Sequence, residues 1–268
     1  MPFNLDEARL RLQRISRALI PDNAAVYTYS VVTKKLRANL LGYNAEHDPF
    51  TGTVVDVQDA YSIVQTQPNH FVFVEAIVLR DALVVGSHVS ITPYARRRFD
   101  GSRVKDPVSE QGKAGSVHTT LGACASRIPV DPPSTDLGKH WVDSLERLRC
   151  PDGVRVLSNF LVDLGASNFA LLEPDTPDPA QSSDLQLVFD CSSSSFNGRV
   201  TIGMESECEL FYILMHRVLP DGPEQIVHKC EAITFDSVAE MLTTLLCDGQ
   251  WCFAQVELHE TVSEGVAA

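Results

Sequence analysis

The chain has 268 residues, a formal net charge of −13, 44% hydrophobic residues and 21% charged ones. Those proportions exclude a disordered or collagen-like polymer and leave room for one large domain or two ordinary ones. No apolar stretch approaches the roughly 20 residues of a membrane-spanning helix, so no membrane partner is expected.

The N-terminus places Arg9, Arg11, Arg14 and Arg17 in an interrupted apolar pattern. That argues against a secretory signal and for a cytoplasmic protein. Asn4 and Glu7 resemble a capping box. Leu5, Ala8, Leu12, Ile15 and Leu19 then recur at helical spacing until Pro21, which predicts a first helix. Ala25–Val32 reads as a strand. Thr53–Val57, Tyr61–Gln65, Phe71–Glu75 and His88–Thr92 follow as short strands, separated by Gly52, Asp59, Pro68-Asn69 and Gly86, with Asp81–Val85 a helical turn or connection. Close spacing of short strands suggests a small barrel-like module. Residues 101–135 lose apolar periodicity and are rich in Gly and Pro, as a linker would be.

Beyond it, Leu137, Trp141, Leu145 and Leu148 predict a helix over Leu137–Arg149 capped by Thr135 or Asp136. Strands are expected at Val154–Val162, Asn168–Leu172, Leu185–Asp190 and Arg199–Gly203. Glu209–Leu219 and Gln225–Thr234 flank the turn sequence Pro220-Asp221-Gly222-Pro223 and read as a hairpin. Ser237 and Glu240 form a capping box before a helix over Ser237–Leu246. Asp248-Gly249 stops that helix, and Trp251–Leu258 is a final strand. The expected fold class is therefore α+β with two domains. A helix plus small β-rich module spans 1–100, and an antiparallel sheet packed by helices spans 136–268.

Charge is unevenly divided. Residues 1–110 carry 13 Lys and Arg against 12 Asp and Glu, whereas residues 111–268 carry 9 against 23. An acidic second half repels phosphate backbones. Any nucleic-acid contact should come from the first half, where Arg96, Arg97, Arg98, Arg103 and Lys105 lie beside Tyr94 and Phe99. Guanidinium groups there can pair with phosphates while aromatic rings stack on bases. The same cluster could dock on a protein partner or on the chain's own acidic half. Tyr94, Arg96, Arg97, Arg98 and Arg103 are the predicted contact residues.

Seven cysteines, at 124, 150, 191, 208, 230, 247 and 252, contain no C-x-x-C pair. They read as free thiols rather than zinc ligands. His216, His228, Cys208 and Cys230 invite a metal site. If Leu219 pairs with Glu224, however, the two histidines project to opposite faces of the hairpin. Cys124 can be written with His118 or His140 as a nucleophile and base, but both pairs lie in or beside the linker. No Walker A, G-x-S-x-G, H-E-x-x-H or G-x-G-x-x-G motif occurs. No cofactor and no metal are expected.

Two resemblances add to this reading. Phe160-Leu-Val-Asp-Leu-Gly-Ala-Ser167 resembles the active-site turn of retroviral-type aspartic proteases, with Leu164 in place of the hydroxyl residue. That resemblance implies Asp163 as a catalytic carboxylate sharing a proton with a second copy. Gly52-Thr-Val-Val-Asp-Val57, Tyr61-Ser-Ile-Val-Gln65, Phe71-Val-Phe-Val-Glu75 and Leu83-Val-Val-Gly-Ser-His-Val-Ser-Ile91 resemble the small KfrB-type domain of plasmid and integrative-element proteins. Asn159–Asp163, Phe235–Val238 and Asp248–Trp251 are similar to segments of conjugative-element proteins. The resemblance implies a non-enzymatic accessory protein of a bacterial mobile element, binding a protein partner, with nucleic acid as a second candidate partner. Two alternatives stand beside it. One is an inhibitor of a host enzyme whose acidic domain mimics phosphate charge. The other is a hydrolase using Asp163.

Overall fold

In chain order the computed structural model contains α1 (Leu5–Leu19), β1 (Thr28–Val32), β2 (Arg37–Ala38), β3 (Asn44–Ala45), β4 (Phe50–Val57), β5 (Tyr61–Gln67), β6 (His70–Glu75) and β7 (His88–Thr92). These are followed by β8 (Val108–Gln111), β9 (Val117–Thr120), α2 (Asp136–Arg147), α3 (Leu157–Asp163), β10 (Ser167–Leu172), β11 (Leu185–Ser192), β12 (Asn197–Glu205), β13 (Leu210–Arg217), β14 (Gln225–Ile233), α4 (Val238–Leu246) and β15 (Gln255–His259). The structure describes residues 3–20, 26–38, 44–111, 117–120, 126–174, 184–205, 208–217 and 225–259. The chain forms two compact units, Met1–Ala95 with Gln250–Ala268, and Arg96–Gly249. The second unit is thus inserted in the chain path of the first. The mixed α+β class is as expected.

The first unit is built on one six-stranded sheet, ordered β1-β6-β5-β4-β7-β15. β1 runs parallel to β6 and the remaining pairs are antiparallel. Among the described residues the sheet is open, with β1 and β15 at its edges, rather than the barrel that the strand spacing suggested. A helix takes the place of closure. Asn4 accepts from the amides of Asp6 and Glu7, and α1 lays Ala8 and Leu12 on Val31, Ile63, Phe71 and Phe73. The opposite face buries Val54, Val64, Val72, Val74, Val89 and Ile91 with Leu79 and Leu83. Strands β5 and β6 are covered on both sides, so they read as near-continuous apolar runs. Gly52, read as a strand separator, lies inside β4, where a Cβ would fall on the Gln65 carbonyl oxygen. The strand nearest the C-terminus, which the sequence reading groups with the second half, pairs with β7 as β15.

The second unit carries a five-stranded antiparallel sheet, ordered β10-β11-β12-β13-β14. Leu185, Leu187, Phe189, Val200, Ile202 and Ile213 of its inner face share one core with α2, α3 and α4. Three local expectations change. Val154–Val162 is not a strand, and α3 occupies its second half. Leu157, Phe160, Leu161 and Leu164 follow the i, i+3, i+4, i+7 spacing of a helix face, and all are buried. Leu137 of α2 is exposed, while Trp141, Val142 and Leu145 face the core. The Ser237–Glu240 capping box does not form. A 3-10 turn over Phe235–Ser237 leads into α4, and Ser237 makes no cap to it. Within the stretch read as a linker, β8 and β9 pair as a hairpin. The Pro220–Pro223 turn lies outside the described residues.

Glu173, one residue past β10, ties that strand to the start of α2. Its carboxylate accepts from the amides of Ser134 at 2.6 Å and Thr135 at 3.0 Å, and from both hydroxyls. Thr135 in turn caps Gly138, and a Cβ at Gly138 would fall on the Glu173 carboxylate. Burial pushes this carboxyl upward, but the four hydrogen bonds outweigh it and hold it down to about 2, against an ordinary 4.5. A carboxyl lowered by folding stabilises above its unfolded value, and that contribution is lost as the proton returns. Wild type is therefore expected to lose stability as pH falls from 4.5 towards 2. Glu173→Gln should flatten that part of the curve. Urea melts at successive pH values measure the difference, and identical curves would refute this account of Glu173.

Candidate binding cleft on the first unit

The parallel pairing of β1 with β6 sets Thr28 opposite His70 and Ser30 opposite Val72. Alternation then carries Ser30, Val32, His70 and Val72 to the same side of the sheet. These residues floor a cleft of about 520 Å³, whose walls come from Thr66 and Gln67 of β5, Phe50 and Thr51 of β4, and the segment Glu46–Pro49. Its size falls within the range of small-ligand and side-chain pockets. The Thr28 hydroxyl is 2.7 Å from His70 Nδ1 and fixes the orientation of that imidazole. A register shift between Gln65 and Gln67 makes Thr66 the extra residue of a bulge, and its hydroxyl donates to the His70 carbonyl at 3.4 Å. Bulges of this kind re-aim side chains beside binding sites.

Chemically the cleft joins an apolar floor (Val32, Val72, Phe50) to hydroxyls at Ser30, Thr51 and Thr66. Two imidazoles, His47 and His70, and two carboxylates, Glu46 and Asp48, complete it. An apolar surface with a few convergent polar groups is how proteins orient a bound group. The carboxylates and the Phe50 ring suit a cationic one. Among the described residues, no group of three or more His, Cys, Asp or Glu is arranged to hold a metal ion.

The predicted contact residues are divided between the two units. Tyr94 belongs to the first, where its ring meets Trp251 edge-on at 4.7 Å and Lys34 Nζ stands 5.6 Å from the Trp251 ring. Arg96, Arg97, Arg98 and Arg103 belong to the second. There they form a tight loop closed by the Arg97–Arg103 bridge and by Gly101 at φ +84°. Arg98 is the clamp of that loop. Its guanidinium donates to Ser102 Oγ at 3.0 Å and to the carbonyls of Arg103, Val104 and Asp106 at 2.7, 2.8 and 3.0 Å. Asn159 of α3 donates to the Arg97 carbonyl at 3.2 Å. Arg97 is exposed and donates to the Gly101 carbonyl at 2.9 Å. The run is thus largely loop architecture, in which the two terminal nitrogens of Arg98 satisfy three carbonyls and a hydroxyl of the turn.

Asp163 ends α3 rather than a strand, and its carboxylate accepts from Arg155 Nη1 at 2.9 Å. Arg155 is 2% exposed and also donates from Nε to Asp152 at 2.8 Å. Burial alone would lower the guanidinium pKa, but the paired carboxylates of Asp163 and Asp152 raise it overall. On the hairpin, His228 lies opposite Met215 as anticipated, whereas a register shift sets His216 opposite Ile226. Cys208 donates to Glu205, and Cys230 is 3.2 Å from His228. Cys124 and the side chain of His118 lie outside the described residues, and His140 is exposed on α2.

Sequence reasoning missed the cleft because its residues come from four separated segments joined by a parallel pairing. The legible signal was the placing of Thr28, Ser30 and His70 at one-sided positions of otherwise apolar strands. Comparison with protein-family models, with curated proteins and with solved structures finds no match for this chain.

Proposed function

We propose that this chain is a non-enzymatic binding protein, of the accessory kind that the KfrB-type resemblance implies for a bacterial mobile element. In this reading its β-rich first unit recognises a protein partner through the cleft over β1 and β6. The observation that supports the reading is the cleft itself, about 520 Å³ with an apolar floor and polar walls. Glu46, Asp48 and Phe50 favour a partner that inserts a lysine or arginine side chain. The basic loop plays a secondary part, because Arg98 is committed to its own carbonyls.

The test is affinity capture by the full chain from bacteria carrying a conjugative plasmid. Ser30→Trp fills the cleft from an exposed position of β1. It is expected to weaken capture by about tenfold or more, equivalent to about 1.4 kcal/mol, with an unchanged melting temperature. Arg96→Ala with Arg97→Ala should leave capture intact. Undiminished capture by Ser30→Trp overturns the cleft as the recognition surface. Nuclease-sensitive capture lost only in the arginine variant would assign recognition to the loop and to nucleic acid.

A further inference from the structure

We propose that Cys230, paired with His228 on the exposed edge of the second sheet, is a reactive thiol that exchanges with small-molecule disulfides. The two side chains are two residues apart on β14 and so share a face. Cys230 Sγ lies 3.2 Å from His228 Nε2. β14 is the outer strand of its sheet. His228 is exposed and Cys230 half-buried, so a reagent reaches the pair from solvent. Across the ladder they face Ile213 and Met215, neither of which titrates. The charged neighbours Lys229 and Glu231 are engaged with each other at 2.6 Å. His228 Nε2 is thus placed to take the thiol proton, and the thiolate so formed is the nucleophile in exchange.

The other described cysteines lack this combination. Burial pushes Cys150 up to about 12 and raises Cys191. Cys252 is buried. Cys247 lies 3.7 Å from Arg155, whose charge is already met by two carboxylates. Cys208 is exposed, but its thiol donates to the Glu205 carboxylate at 3.1 Å, and a carboxylate there opposes thiolate formation. Exposure alone would select Cys208, whereas the chemistry of the neighbour selects Cys230.

In the exchange, the Cys230 proton passes to His228 and the thiolate attacks one sulfur of the disulfide. The S–S bond of the reagent breaks and a new S–S bond forms at Cys230. The departing sulfur leaves as a thiolate that takes the proton from His228, so electrons and protons balance without an added oxidant.

The experiment treats the full chain with glutathione disulfide at pH 7 and maps the modified peptide by mass over time. Cys230 is expected to be modified first, and His228→Ala to slow it by about tenfold or more, through loss of the proton acceptor beside the thiol. The rates should converge at high pH, where hydroxide takes the thiol proton in place of His228. Glu205→Gln should accelerate Cys208 while leaving Cys230 unaffected. Earlier modification of Cys208, Cys247 or Cys124 would overturn the proposal, as would an unchanged Cys230 rate in His228→Ala at pH 7. Cys230→Ser with an unaltered melting temperature verifies that the fold is intact.

Discussion

Arg155→Ala is expected to destabilise the second unit by about 3–5 kcal/mol, the usual result of removing one partner from a buried ion network. The side chain is 1% exposed and bridges Asp152 and Asp163, whose side chains are themselves only 10% and 16% exposed. Its guanidinium also stands 5.1 Å from the ring centroid of Phe160, in the core of α3. Truncation would remove the cation that faces both partly buried carboxylates and the group that joins the Asp152 turn to the end of α3. Asp152 keeps its bonds from the amides of Val154 and Arg155, at 2.8 and 2.9 Å. Adding Asp163→Asn to Arg155→Ala should recover part of the stability, because it removes one of the two negative charges that the guanidinium faced. Urea unfolding of the three variants measures this. A loss below about 1 kcal/mol for Arg155→Ala, the range of a surface pair, would show that the network is solvated rather than buried. The same variants address the hydrolase alternative, since Asp163 is here held as the partner of a buried cation at a helix end.

Phe73→Ala should cost the first unit about 3–5 kcal/mol, the range for deleting a buried aromatic side chain. Phe73 is fully buried on β6. Its ring meets Tyr29 and Tyr61 edge-on at 5.5 and 5.9 Å and Phe3 at 6.4 Å. These contacts form the seat of α1, whose Ala8 and Leu12 close the same cluster. An isolated helix of this length is marginal in water, so α1 depends on that seat. The expected signature is faster amide exchange across Leu5–Leu19 together with a lower melting temperature. Exchange that stays slow in α1 while the unit melts early would separate the helix from the cluster and refute the arrangement. Because the chain comprises two units, each variant is best read from the transition of its own unit rather than from one global fit.

Local signals alone were enough for much of the secondary structure. Asn4 with its helical stripe, the β-branched runs of β4 to β7 and the alternation of β11 each satisfy a short-range rule. Even the error at residues 154–162 is local. A short apolar run with i, i+3, i+4 spacing suits either period, and burial on the sheet of the second unit settled it as a helix. The arginine run was equally visible, but its role was not. Whether Arg98 faces a phosphate or its own loop depends on where the carbonyls of residues 103, 104 and 106 turn, which no spacing rule encodes.

Strand and helix placement thus followed from side-chain type at neighbouring positions, because hydrophobic period and capping act over only a few residues. Pairing partners did not. The parallel match of β1 to β6, the return of β15 to β7 and the resulting cleft around His70 join residues far apart in the chain. Such contacts are selected by the sum of burial over a whole sheet face, a quantity that exists only once the chain has folded.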